Sequence, residues 1–199
     1  MIRGARMEFQ IIGIVILVLF YGCYMIKMIK QSKKGIKTDQ IGRGKIGFVK
    51  IIELTMKVAT YVVLVTEVSS IILNTNFFVI PIRIVGAFVG IIGVIVFIIS
   101  VLTMQDSWRA GVSKAEKTEL VTGGIYQISR NPAFLGFDLV YIGMVMMFFN
   151  WGLLVTSIFA VVMLHLQIVN VEEDFLMEVF GEEYLEYKEK VCRYLGRKQ

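Results

Sequence analysis

Residues 128–170 read ISRNPAFLGFDLVYIGMVMMFFNWGLLVTSIFAVVMLHLQIVN, two apolar runs that meet at one polar residue, Asn150. Pro132 stands where the first turn of a helix would begin, a position at which its missing N–H costs nothing. So short a connection between two helices permits only a helical hairpin. The stretch therefore predicts two helices, spans four and five, and an all-α fold in which span five ends near Asn170.

The composition of the chain places this hairpin in a membrane. The protein has 199 residues, of which 56% are hydrophobic and 19% are charged, and its mean hydropathy is +0.71. Three more apolar stretches, about residues 9–28, 48–73 and 77–104, approach the roughly 20 residues that cross a bilayer. We therefore predict a single integral membrane domain over residues 1–199, an all-α polytopic protein with about five transmembrane helices.

The segment after span five is charged, but it keeps a helical pattern. Phe175, Leu176, Val179 and Phe180 recur at helical spacing among acidic and basic residues. This alternation of apolar and polar faces is typical of an amphipathic helix. We therefore predict a C-terminal amphipathic helix.

Several functional classes are disfavoured by the residue counts. The net charge of +5 does not indicate nucleic-acid binding, because the basic residues lie in loops and form no single aromatic-interleaved patch. Two cysteines, Cys23 and Cys192, do not make a disulfide framework or a metal cluster. One histidine, His165, excludes a site built from several histidines. We therefore predict no metal and no nucleic-acid partner.

The distribution of basic residues predicts how the chain is oriented in the membrane. Five spans put the loop after span one, the loop after span three and the tail on one side, with six, four and five lysines or arginines. The opposite side has Arg3 and Arg6. Since lysine and arginine are concentrated in cytoplasmic loops, we expect a multi-pass protein of the cell membrane whose C-terminus and active site face the cytoplasm.

Span four contains the first candidate polar residues. Asn131, Phe134 and Asp138 are spaced by three and four, which places them on one face of a helix. A carboxylate inside a span is costly and usually faces a partner or a wet cavity. Asp138 therefore either pairs with a basic residue to pack two helices or lines a cavity together with its neighbours.

Span five provides a second group of polar residues. His165 and Glu172 are seven residues apart and share a face if the helix continues. A lone histidine is more often structural, and Glu172 with Glu173 has the form of a solvated charged stretch. The functional alternative is that the two acids bind the ribose hydroxyls or the ammonium group of an adenosyl cofactor, because carboxylates accept such hydrogen bonds strongly.

Two stretches match a known family. LVTGGIYQISRNPAFLG (120–136) and EEDFLMEVFGEEYLEYKEKVCRYL (172–195), separated by the helical hairpin, resemble the isoprenylcysteine carboxyl methyltransferase family and its phospholipid methyltransferase relatives. The family pattern is, loosely, L-V-x-x-G-x-Y-x-x-x-R-H-P-x-Y, then E-E-x-x-L, F-G-x-x-Y-x-x-Y and a closing arginine. The matching positions are Leu120, Val121, Gly124, Tyr126, Arg130, Pro132, Glu172, Glu173, Leu176, Phe180, Gly181, Tyr184, Tyr187 and Arg193.

The resemblance implies a membrane-embedded methyltransferase that uses S-adenosylmethionine. Its cofactor-binding half would be residues 100–199, and residues 1–99 would be variable N-terminal spans. The expected acceptor is a lipophilic small molecule or a lipid reached from the membrane, with a carboxylate, amine or hydroxyl as the methylated group. The cofactor-binding residues implied are Leu120, Val121, Gly124, Tyr126, Asn131, Phe134, Glu172 and Glu173.

Four further residues are catalytic candidates. Arg130 and Arg193 would orient an anionic acceptor or the carboxylate of the cofactor. Asp138 or His165 would serve as the base for a hydroxyl or protonated amine, whereas a carboxylate acceptor needs no base.

The chain departs from the family pattern at three positions. Asn131 stands where the family usually has histidine, Phe134 where it has tyrosine, and Gly196 where a proline often closes the motif. Asparagine can hydrogen-bond a cofactor but cannot act as a base. Two alternatives therefore remain beside the methyltransferase: a non-catalytic membrane scaffold of the same fold, and an NADPH-dependent membrane reductase.

Overall fold

The computed structural model describes residues 2–75, 77–112 and 119–198, and within these ranges the fold is all-α. Isolated bridges join Asp39 to Ala110 and Val191 to Arg197, and the described residues contain no strand. The predicted helices, including the C-terminal amphipathic one, are confirmed. They are α1 (Ile2–Lys33), α2 (Gly47–Leu73), α3 (Ile80–Met104), α4 (Pro132–Met147), α5 (Trp151–Gln167) and α6 (Glu173–Lys190).

The membrane character of the helices differs along the chain. Three described helical segments are long and apolar enough to cross a bilayer, namely Met7–Lys33, Ile80–Ser107 and Trp151–Lys190. The apolar helix α4 is shorter, at 16 residues. Helix α2 has 27 residues but contains four charged side chains, two of which, Glu53 and Glu67, are buried inside the protein. The protein is therefore a polytopic membrane protein in which α2 turns its two glutamates inward.

Glycines bring α3 and α4 into backbone contact. A Cβ atom added to Gly143 would lie 2.6 Å from the backbone nitrogen of Gly90, and one added to Gly93 would lie 2.8 Å from the nitrogen of Val140. A Cβ atom added to Gly136 would likewise lie against the backbone of Gly93 on the facing helix. Small residues at such contacts let membrane helices pack at short range, where dispersion and weak hydrogen bonds are strongest. This pair of helices is the centre of the bundle.

Aromatic side chains fix α1 on this pair. The ring of Phe20 lies 4.5 Å from that of Phe97 on α3 and 4.7 Å from that of Phe137 on α4, measured between centroids. On the other side of the bundle, α2 packs on α5 through buried residues that include Met56 and Leu164. Helices α1 to α5 therefore contribute to the apolar interior, which consists of two clusters of buried side chains.

The predicted hairpin turn is confirmed at Asn150. Its Oδ1 accepts a hydrogen bond from the Leu153 backbone nitrogen at 2.9 Å and so caps α5, and its Nδ2 donates to Ser70 Oγ at 2.7 Å. Beside it, Arg83 Nε donates to the Met147 carbonyl at 2.8 Å. The Met147 carbonyl at the end of α4 and the Leu153 N–H at the start of α5 thus have hydrogen-bond partners inside the protein.

We expect Gly143→Ala to destabilise the protein, because its Cβ would force two backbones apart. The expected loss is about 1–3 kcal/mol, the usual cost of overpacking. The matched control is Gly22→Ala in α1, where an added Cβ meets no atom within 4 Å. Thermal unfolding of both variants in the same detergent measures the difference. Equal melting temperatures would contradict the packing described for α3 and α4.

Candidate functional site

A π turn joins α5 to α6 where the two acidic residues occur. Residues Ile168–Glu172 form it, and the Glu173 backbone nitrogen bonds to the Ile168 carbonyl, five residues earlier. Such a turn shifts the angular position of every residue after it. Glu172 and Glu173 consequently face different surroundings, and His165 and Glu172 are not related by two regular α-helical turns.

Glu172 lines a pocket between the end of α3 and the start of α6. Its Oε1 accepts a hydrogen bond from Gln167 Nε2 at 3.3 Å. The empty space among its lining residues is about 510 Å³, part of it open to solvent. The pocket is lined by Met104, Ser107, Arg109, Gly111, Val112, Glu119, Glu172, Phe175, Leu176 and Phe180.

The lining combines opposite charges with aromatic rings. Arg109 and Glu119 come from the segment between α3 and α4, and Phe175 and Phe180 come from α6. The Glu119 backbone nitrogen donates to Ser107 Oγ at 3.3 Å, which ties this segment to the end of α3. Arg109 and Glu119 belong to no recognisable motif, so the sequence did not mark them as site residues. The one feature that pointed to them was their position in the long polar stretch between two apolar runs.

Glu173 faces away from this pocket, into a cluster of cations. Arg193 binds its two oxygens with Nε at 2.7 Å and a terminal nitrogen at 3.1 Å, and Arg130 adds a contact of 3.1 Å. Lys188 lies 3.4 Å from the second oxygen. The hydrogen bond to Glu173 raises the pKa of the Arg193 guanidinium above its usual value. Arg130 also donates to the Tyr184 hydroxyl at 2.7 Å.

The C-terminal tail returns to the start of α4. The Arg130 backbone nitrogen donates to the Cys192 carbonyl at 3.1 Å, and the Gly196 nitrogen donates to the Ile128 carbonyl at 2.7 Å. Asn131 Nδ2 donates to the Arg193 carbonyl at 3.1 Å. Asn131 lies at the N-cap of α4 with non-helical φ and ψ of −132° and 54°. The helical face predicted for Asn131, Phe134 and Asp138 therefore does not include Asn131, whose amide holds the tail.

The C-terminal tail also lies near His165 and Asp138, the two catalytic candidates within the spans. Tyr194 places its hydroxyl 2.6 Å from His165 Nδ1, with the two rings stacked. Burial, followed by the nearby Asp138 carboxyl, raises the pKa of the Tyr194 hydroxyl. Asp138 Oδ1 is buried and has no hydrogen-bond partner among the described residues. The structure thus associates His165 with Tyr194 and not with Glu172, and sequence reasoning missed Tyr194 because its contact depends on the return of the tail.

The remaining predicted residues form a wall next to the pocket. Leu120, Val121 and Tyr126 belong to the same apolar cluster as Leu176 and Phe180, both of which also line the pocket. Burial raises the pKa of Tyr126 well above its ordinary value, and Tyr187 and Glu172 contribute further.

Two predicted residues lie further from this wall. Gly124, at φ +59°, sits against Thr103 of α3, where a Cβ would meet the threonine methyl at 3.1 Å. Phe134 packs with the apolar cluster between α2 and α5. The structure therefore brings Leu120, Val121, Tyr126 and Glu172 together and places Gly124 and Phe134 elsewhere.

Comparison with known proteins links this half of the chain to methyltransferases. Residues 82–183 match the phospholipid methyltransferase family. The chain is 34% identical over 110 residues to protein-S-isoprenylcysteine O-methyltransferase of Saccharomyces cerevisiae, covering 54% of this chain and 46% of the relative. It is 32% identical over 109 residues to protein-S-isoprenylcysteine O-methyltransferase A of Arabidopsis thaliana, covering 54% and 55%. The chain spans about half the length of these curated relatives.

We expect Glu173→Gln to destabilise the protein strongly, because it leaves Arg130, whose side chain is 4% exposed, without its carboxylate. Removal of one partner from a buried ion pair costs about 3–5 kcal/mol. The control is Glu183→Gln, an exposed glutamate on the same helix, for which we expect a change within about 0.5 kcal/mol. Thermal unfolding in detergent measures the difference. The same melting temperature for both variants would show that the cluster around Glu173 does not stabilise the fold.

Proposed function

The chain belongs to the phospholipid methyltransferase family, and we propose that it is an integral membrane methyltransferase that uses S-adenosylmethionine. The observation that carries this proposal is the pocket lined by Glu172, all of whose lining residues lie within the family match. The activity printed in the names of the curated relatives supports the same assignment.

The lining of the pocket fits the parts of this cofactor. Glu172 and Glu119 present carboxylates, which accept hydrogen bonds from ribose hydroxyls and from an ammonium group. Arg109 presents a guanidinium, which pairs with a carboxylate. Phe175 and Phe180 provide apolar and aromatic surface for adenine. Every group of the cofactor that needs a partner therefore has a residue of matching chemistry.

The predicted site residues fall into two groups in this proposal. Glu172 binds the polar end of the cofactor, and the wall made by Leu120, Val121 and Tyr126 limits the pocket on one side. Arg130, Glu173, Arg193 and Asn131 fasten α6 and the tail to the start of α4, so that they maintain the shape of the site. This division differs from the family-based expectation that both acids bind the cofactor.

Methyl transfer requires little from the protein beyond binding of the reactants and exclusion of water. When bound, S-adenosylmethionine supplies a methyl group on a sulfonium, an excellent leaving group. The residues of the chain contribute by aligning the acceptor and by keeping the pocket dry, and such positioning accounts for much of the acceleration in comparable reactions. An acceptor hydroxyl or ammonium would pass its proton to Asp138 or His165, whereas a carboxylate would need no base.

The acceptor is a lipophilic or membrane-resident molecule. Outward faces of α1, α3 and α5 carry large exposed apolar side chains, among them Ile14, Phe88 and Phe159, so these helices face lipid, the phase in which such an acceptor dissolves. The relatives are named for protein-S-isoprenylcysteine, a lipid-modified residue, which belongs to this chemical class. The cofactor pocket and the C-terminus face the cytoplasm of the cell in this proposal, since the loops and tail on that side hold most of the lysines and arginines.

The proposal predicts that purified protein in mild detergent binds S-adenosylmethionine and that Glu172→Gln weakens binding about tenfold or more, since charge-assisted hydrogen bonds contribute about 1.5–3 kcal/mol. Equilibrium binding measures this, with NADPH tested alongside. The control variant is Asp174→Asn, which changes an exposed acid two residues away. This variant should bind S-adenosylmethionine as the wild type does. NADPH binding without S-adenosylmethionine binding would favour a reductase, and binding of neither in lipid bilayers would favour a scaffold.

A further inference from the structure

A buried glutamine connects Glu172 to helix α2. Gln167 Nε2 lies 3.3 Å from Glu172 Oε1 and 3.4 Å from Glu53 Oε1. Both Gln167 and Glu53 are 0% exposed. A side-chain amide carries two N–H donors, so one nitrogen serves two carboxylates at once. The orientation of Glu172 therefore depends on a residue 114 positions before Gln167 in the chain.

The loop between α1 and α2 compensates the charge of Glu53. The Lys45 ammonium pairs with Glu53 Oε1, and the Gly42 backbone N–H donates to Oε2. Gly42 has φ +71°, a conformation that favours glycine and turns its N–H toward the carboxylate. All three residues precede the family match at 82–183.

The Lys45 ammonium is held by Glu53 and not by Glu172. Among the described contacts, Lys45 pairs with Glu53 Oε1, whereas Glu172 accepts a hydrogen bond from the neutral amide of Gln167. The Glu172 carboxylate lines the pocket and therefore keeps its capacity to accept hydrogen bonds from a ligand.

We propose that Glu53, Lys45 and Gln167 are positioning residues of the cofactor site, an inference that rests on the proposed function. None of the three lines the pocket. Gln167 fixes the Glu172 carboxylate in its orientation, and Glu53 retains Lys45 so that it does not bind Glu172 in place of the cofactor. The part of the chain before the family match thus takes part in cofactor binding.

A double-mutant cycle tests the retention of Lys45. In Glu53→Gln, Lys45 loses its carboxylate partner, and Glu172 is the other carboxylate that Gln167 contacts. We expect this variant to bind S-adenosylmethionine about tenfold more weakly, Lys45→Met to change binding about threefold or less, and the double variant to recover to within about threefold of the wild type, since contacting residues are energetically coupled. Recovery by a second substitution distinguishes capture of Glu172 from general loss of structure.

The control is Glu67→Gln, the other carboxyl of α2 that is 0% exposed, which should leave binding unchanged. Gln167→Leu provides a test that does not depend on Glu53 and should weaken binding about tenfold, the effect of losing a hydrogen bond to a charged group. Unchanged affinity in Glu53→Gln and Gln167→Leu, or a double variant as weak as Glu53→Gln, would overturn the inference. Absence of binding by the wild type would instead refute the proposed function itself.

Discussion

The arrangement of the site depends on the buried carboxylate of Glu173. It joins three segments that are distant in the chain: Arg130 before α4, Glu173 at the start of α6, and Arg193 in the tail. A bidentate arginine contact fixes orientation as well as distance. The cluster acts together with the backbone hydrogen bonds between the tail and residues 128–131, and the tail held in this way places Tyr194 beside His165.

The π turn gives the two adjacent acids separate functions. Glu173 is saturated by cations, whereas Glu172 is bonded by the neutral amide of Gln167 and faces the pocket. Neighbouring helical residues already lie about 100° apart, and the π turn changes where both acids lie relative to the residues of α5. One acid thus stabilises the fold, and the other remains available to a ligand. Local irregularity of this kind is common at functional sites.

Local sequence signals predicted the helices but not the contacts between them. Apolar runs, Pro132 and Asn150 were sufficient to place α4, α5 and the turn between them, since each acts within a few residues. The family motif led to Glu172. No local signal marks the π turn, and the partners of Gln167 and His165 are brought close only by the folded bundle and the returning tail.

The central claim is that the pocket beside Glu172 binds S-adenosylmethionine, and photo-crosslinking tests it most directly. Radiolabelled S-adenosylmethionine would be irradiated with the protein in lipid bilayers, and the labelled peptides mapped. The account predicts label in the parts of the chain that line the pocket, residues 104–112, Glu119 and residues 172–180, and its loss in Glu172→Gln. Label confined to other segments, or equal labelling of the variant, would contradict it.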